Sequence, residues 1–154
     1  MSDVMEQDRR WLALAVDQAR IGWSEGGIPI GAALVHGEEL LAVGRNRRVQ
    51  QGSVIRHGET DCLENAGRLT ARTYRASVLY TTLSPCLMCA GTALLYQIPR
   101  IVVGENRTFE SSEDLLRSRG VRVDVVDDDE CRALMDRLIA QKPELWNEDI
   151  GLDP

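Results

Sequence analysis

Apolar residues recur at helical spacing over residues 9–23, at Leu12, Ala15, Val16, Ala19 and Trp23. That spacing predicts an amphipathic helix, and the run Ser24-Glu25-Gly26-Gly27 breaks it. Two short apolar runs, 30–35 and 40–43, flank His36-Gly37-Glu38-Glu39 and predict a hairpin. Residues 46–55 read as a loop. Residues 57–69 carry Leu63, Ala66 and Leu69 on one side of a predicted helix. A strand is expected over 77–82, a second core helix over 86–96, and strands over 100–103 and 121–126. Leu134 and Leu138 face inward from a helix over 130–139, and Pro143 opens a short terminal segment. A hairpin gives an antiparallel pair, and strand–helix–strand units give parallel ones. The pattern therefore predicts one α/β domain over residues 1–154, built on a mixed sheet.

Composition narrows the classes. The chain has 154 residues and a formal net charge of −6. A protein that wraps nucleic acid usually carries a basic face. The only short basic group is Arg45, Arg47 and Arg48, so no nucleic-acid partner is expected. No apolar run approaches the ~20 residues of a membrane span, and no signal-peptide core is visible, so the expected location is the cytoplasm. In that compartment Cys62, Cys86, Cys89 and Cys131 are expected as thiols, not disulfides.

Two segments carry the chemistry, His57-Gly58-Glu59 and Ser84-Pro85-Cys86-Leu87-Met88-Cys89. One imidazole and two thiolates suit Zn²⁺, and three protein ligands leave the fourth position to water, as in catalytic sites. Pro85 suits a helix start, which places Cys86 and Cys89 in one first turn with both sulfurs on one face. His57 lies at the start of another predicted helix. Glu59, two positions on, is expected beside the metal water as the proton carrier and not as a fourth ligand. A structural zinc would need that fourth ligand. His36 falls in a turn, and Cys62 and Cys131 read as small core residues. Separately, C-x-x-C and H-x-E are weak signals. Together, as H-x-E…P-C-x-x-C, they are the zinc-deaminase signature.

Beyond that signature the chain resembles the fungal-type cytosine deaminases of the cytidine deaminase superfamily. The resemblance runs through Glu25-Gly26-Gly27-Ile28-Pro29-Ile30-Gly31, His57-Gly58-Glu59, Leu63-Glu64-Asn65, residues 79–86, Val102-Val103-Gly104-Glu105-Asn106, Trp146 and Glu148-Asp149-Ile150-Gly151. It implies a three-layer α-β-α sandwich with a five-stranded mixed sheet, one Zn²⁺ per subunit and a homodimer. The implied reaction is hydrolysis of cytosine to uracil and ammonia. In the implied site Asn46 and the Gly58 N–H hold the N1/O2 edge, and the Ser84 carbonyl and Asp149 contact the leaving amino group. Phe109 and Trp146 cover the ring, Ile150 closes the pocket, and residues 143–154 form a closing tail. Read without the resemblance, Trp146 is equally a terminal anchor, and Asp149 a solvated tail charge. Leu87, Val78 and Arg56 stand where the family usually has Asp, Thr and an apolar residue, and the N-terminal pocket aromatic has no counterpart beside Trp11. A modified cytosine or a purine base is therefore an alternative substrate. Nucleic-acid editing, or an inactive zinc-stabilised interaction module, are the alternatives from other classes.

Overall fold

Adjacent residues of the central strands are buried on opposite faces. Ala32 and Leu34 enter one core with Leu79, Ile101 and Val103, while Ala33 and Val35 enter another with Tyr80 and Val102. Strands covered on both sides read as near-continuous apolar runs, which is why the runs were visible in the sequence. The computed structural model describes residues 4–152. In chain order the elements are α1 (Glu6–Ser24), β1 (Gly31–His36), β2 (Glu39–Arg45), α2 (Arg48–Gln51), α3 (Gly58–Ala66), α4 (Ala71–Arg75), β3 (Ser77–Leu83), α5 (Leu87–Leu95), β4 (Arg100–Glu105), α6 (Glu113–Ser118), β5 (Arg122–Val125), α7 (Asp129–Gln141) and α8 (Pro143–Asp149).

The sheet order is β2-β1-β3-β4-β5. β1 pairs antiparallel with β2 and β3, and β4 pairs parallel with β3 and β5. The expected five-stranded mixed sheet is therefore present, with helices on both faces. Cys62 of α3 and Ala90 and Ala93 of α5 pack on one face, and Leu12 and Ala15 of α1 on the other. Cys62 and Cys131 are both buried, and His36 is exposed at the end of β1. No helix among the described residues is long and apolar enough to cross a membrane.

Three details differ from the sequence reading. The helix expected over 57–69 stops at Ala66, because Gly67 takes φ 82° and leaves Leu69 outside it. The loop over 46–55 contains α2. Short helices α4 and α6 were not expected, since five or six residues are too few to show a period.

Close backbone contact seats α3, the helix that carries Glu59. A Cβ on Gly44 of β2 would fall 2.3 Å from the Cys62 nitrogen, so no side chain fits between strand and helix. Away from the site, Asp8 of α1 is buried and takes both guanidinium Nη atoms of Arg100 at 2.9 Å and the Tyr80 hydroxyl at 2.8 Å. Burial alone would raise this carboxyl. The bonds from Arg100, the Met5 N–H and Tyr80 outweigh it and hold the pKa at about 2, below the ordinary 3.8. A depressed folded-state value stabilises the fold above pH 3.8 and is lost as pH falls towards 2. A shift of this size contributes about 2 kcal/mol. Thermal unfolding between pH 5 and 2 should show that loss, and Asp8→Asn should flatten the slope while lowering stability near neutral pH.

Candidate active site

The site lies beyond the carboxyl ends of β3 and β4, where α/β sheets usually bind ligands. Residues 84–86 run from β3 into α5. Ser84 N–H donates to the Glu105 carbonyl at 2.9 Å, so the β3–β4 ladder continues one residue past the strand. Pro85 then disfavours a helical Ser84. Two bonds from α6 fix the segment. Ser112 Oγ donates to the Pro85 carbonyl at 2.6 Å, and Ser84 Oγ donates to the buried Glu113 carboxylate at 2.6 Å.

Cys86 is the N-cap of α5, and Cys89 lies in its first turn. His57 is likewise the N-cap of α3, its N–H donating to Thr60 Oγ1 at 2.9 Å. The sequence reading put Cys86 inside the helix. Both caps in fact have extended backbone, which swings their side chains towards the helix end and each other. His57 Nδ1 is 3.4 Å from Cys86 Sγ and 3.7 Å from Cys89 Sγ. A tetrahedral zinc with ordinary bond lengths needs N···S separations of about 3.6 Å. The three donor atoms all lie within 4.8 Å of one another, and both helix N-termini favour negative charge here. The proton balance agrees. A bond from Cys89, helped by His57, holds the Cys86 thiol down at about 4 against burial, and the same bond together with burial pushes Cys89 up. A bound cation would favour the deprotonated sulfurs. The residues present fit a zinc ion.

Glu59 is 5% exposed and sits beside this set. Burial raises its carboxyl to about 7, although His57 pulls the other way. Together with Ser84, Phe109, Trp146, Asp149 and Ile150 it lines a cavity of about 20 Å³, room for about one water molecule. The cavity wall is apolar at Ile30 and Leu83, neither of which was expected there. Phe109 and Trp146 meet edge to face, ring centroids 6.0 Å apart. Trp146 is both a wall and an anchor, because it also packs on Met135 and Leu138. Asp149 is 9% exposed, so it is not a solvated tail charge. Burial raises its carboxyl, opposed by His57, Asn46 and Arg48.

Two expected contacts stand behind the wall. Asn46 is fully buried, donates to Asp149 Oδ1 at 3.1 Å and accepts from the Arg48 N–H at 3.0 Å. Gly58 is buried against the approach to β1, where a Cβ would lie 3.2 Å from the Ile30 carbonyl. Leu87, between the two cysteines, is 60% exposed. The basic group is internally paired. Arg45 bonds Glu25, Arg47 bonds the buried Asp61, and Arg48 bonds Glu148 and Asp149.

Residues 5–105 match the cytidine and deoxycytidylate deaminase zinc-binding region. The chain is 50% identical over 145 residues to the cytosine deaminase of Candida albicans, covering 94% of this chain and 97% of that one. The chain belongs to this deaminase family. A tRNA-specific adenosine deaminase of Buchnera aphidicola is 36% identical over 64% of this chain and 66% of its own. The solved guanine deaminase of Nitrosomonas europaea superposes with a TM-score of 0.74 at 20% identity, over 91% of this chain and 87% of that one, which is a likeness of fold. The protein is thus a zinc-dependent deaminase with a three-layer deaminase fold, and the His57, Cys86 and Cys89 cluster accounts for its one zinc. Sequence reasoning gave no role in the site to Glu113, Glu105 or Arg48. Glu105, fully buried, accepts from the N–H groups of Arg107 and Thr108 and so shapes the loop bearing Phe109. A buried Glu at a strand end has no periodic signature, and Arg48 drew notice only for its charge.

Proposed function

We infer that this protein hydrolyses cytosine to uracil and ammonia. Identity of 50% along 94% of the chain with a cytosine deaminase carries the inference. His57, Cys86 and Cys89 would hold zinc, which when bound supplies a Lewis acid that makes water nucleophilic near neutral pH. Glu59 takes the proton of the attacking water and gives it to ring N3 as oxygen adds to C4. It then moves a second proton to the amino group, which leaves as ammonia. A carboxyl poised at about 7 can act in both directions. Asn46 matches an N–H beside a carbonyl, with the Gly58 N–H on O2. The Ser84 carbonyl and Asp149 receive the amino group. Phe109 and Trp146 cover the ring, and Ile150 with the tail from residue 143 to 152 closes the pocket and keeps it dry; residues 153 and 154 of the expected tail lie outside the described residues.

The remaining assignments follow the same likeness. The exposed Leu95 and Tyr96, with Leu69 across a groove beside α3 and α5, support a homodimer of this chain. Four free thiols accord with a cytoplasmic setting. The internal pairing of Arg45, Arg47 and Arg48 speaks for a small-molecule substrate and against nucleic acid.

Ammonia release from cytosine, cytidine, adenine and guanine tests the reading. Cytosine should be the substrate. Cytidine, lacking the N1–H, should be turned over at least ~10⁴-fold less efficiently, as for sites built around a hydrogen bond the analogue cannot make. Efficient cytidine or purine turnover with no cytosine activity would overturn it.

A further inference from the structure

The guanidinium of Arg48 joins three segments at the pocket. Its Nε donates to the Val54 carbonyl at 3.0 Å, on the stretch leading to His57. Its Nη2 meets Glu148 at 2.7 Å and its Nη1 meets Asp149 at 3.3 Å, both on α8. Its own N–H orients the Asn46 side-chain carbonyl at 3.0 Å. The Arg48 side chain is only 10% exposed and Asp149 3%, so that pair is made largely out of water and loses little to screening, while the Glu148 partner is 47% exposed and contributes less.

Few other polar contacts tie α8 to this side of the molecule. Trp146 and Leu145 hold its other side against Met135 and Leu138. On the pocket side, besides Arg48, Asp149 meets the Asn46 amide at 3.1 Å and faces His57 Nε2 at 3.7 Å. The contacts from Asn46, Arg48 and His57 all fall on Asp149 Oδ1, and Asp149 also lines the cavity.

We propose that Arg48 is a positioning residue that latches α8 over the pocket and holds Asp149 where the leaving amino group must sit. The latch is a property of the chain alone. Its catalytic consequence rests on the cytosine reading above. Arginine is required because one rigid fork reaches the Val54 carbonyl and two carboxylates together, whereas the single ammonium of lysine cannot. The device also explains a group that composition presents as a basic surface patch. Arg48 is spent on the lid and is not offered to a partner.

The test uses the full, zinc-loaded chain with Arg48→Met and Arg48→Lys, followed by amide hydrogen exchange and by steady-state kinetics on cytosine. In Arg48→Met the amides over 143–152 should exchange at least ~10-fold faster, with exchange in the β-sheet unchanged, as expected of a local opening. The value of kcat/KM should fall ~10–100-fold, mostly through KM, because the closed arrangement is less populated and Asp149 is misplaced. Arg48→Lys should recover part of both effects, since its charge still reaches one carboxylate. Unchanged exchange over 143–152 in Arg48→Met would overturn the latch, as would an equal rise throughout the chain. Faster local exchange with unaltered kcat/KM would overturn the positioning role. If the parent chain does not deaminate cytosine, the functional reading fails, and the exchange arm still decides the latch.

Discussion

Glu59→Ala should abolish nearly all ammonia release while zinc content and melting temperature stay close to those of the parent chain. The carboxylate is buried beside the donor set, yet the metal donors are supplied by His57, Cys86 and Cys89 without it. Losing it therefore spares the metal. It also removes a group whose burial is costly, which is visible in its carboxyl being raised to about 7. General acid–base catalysis by one group is worth ~10²–10⁴-fold, and here one group serves two transfers, so the loss should reach or exceed the upper figure. Turnover and zinc should be measured on the same preparation. Turnover within tenfold of the parent would refute the proton-carrier role.

Cys86→Ser should cost both metal and stability, in contrast to Cys62→Ser. Cys86 sits at an N-cap with its sulfur 3.4 Å from His57 Nδ1, and the bond from Cys89, helped by His57, lowers its thiol, which favours a thiolate ligand. A serine hydroxyl stays neutral and binds zinc poorly. Altering a neighbour of a metal ligand costs ~10–100-fold in affinity, and removing the ligand itself costs more. Because metal binding couples to folding, the variant should also melt earlier, and chelation should lower the parent towards it. Cys62, fully buried whereas Cys86 is only partly so, packs between α3 and the sheet, its thiol near the Ala42 carbonyl at 3.5 Å, where burial pushes its pKa up. Its replacement should cost on the order of 1 kcal/mol of stability and leave zinc and activity in place. Metal analysis with thermal melts of both variants separates the cases. A zinc-replete, active Cys86→Ser would refute the donor set.

What could be read directly from the chain was local in origin. Strand identity followed from short apolar runs around turns, and the metal donors from a spacing that puts Cys86 and Cys89 on one helix start. Glu59 was legible because it stands two positions after His57. The resemblance supplied the remaining candidates, but not their state. Asp149 alone reads as a tail charge, and only the fold shows it buried against Asn46 and Arg48, more than 100 residues away in the chain. Glu113 grips Ser84 across 29 positions, and no periodicity marks such a pairing. The short helices α4 and α6 were invisible for a related reason. Helices of five or six residues are not stable by propensity and exist here because the surrounding packing holds them. The sequence by itself marked the sheet's apolar strands, the zinc donors and the proposed proton carrier, since each shows as a short motif or a local period. Tertiary structure alone decided how the pocket is closed, because its wall is assembled from β3, α3, the loop after β4 and α8, whose mutual burial depends on the whole core.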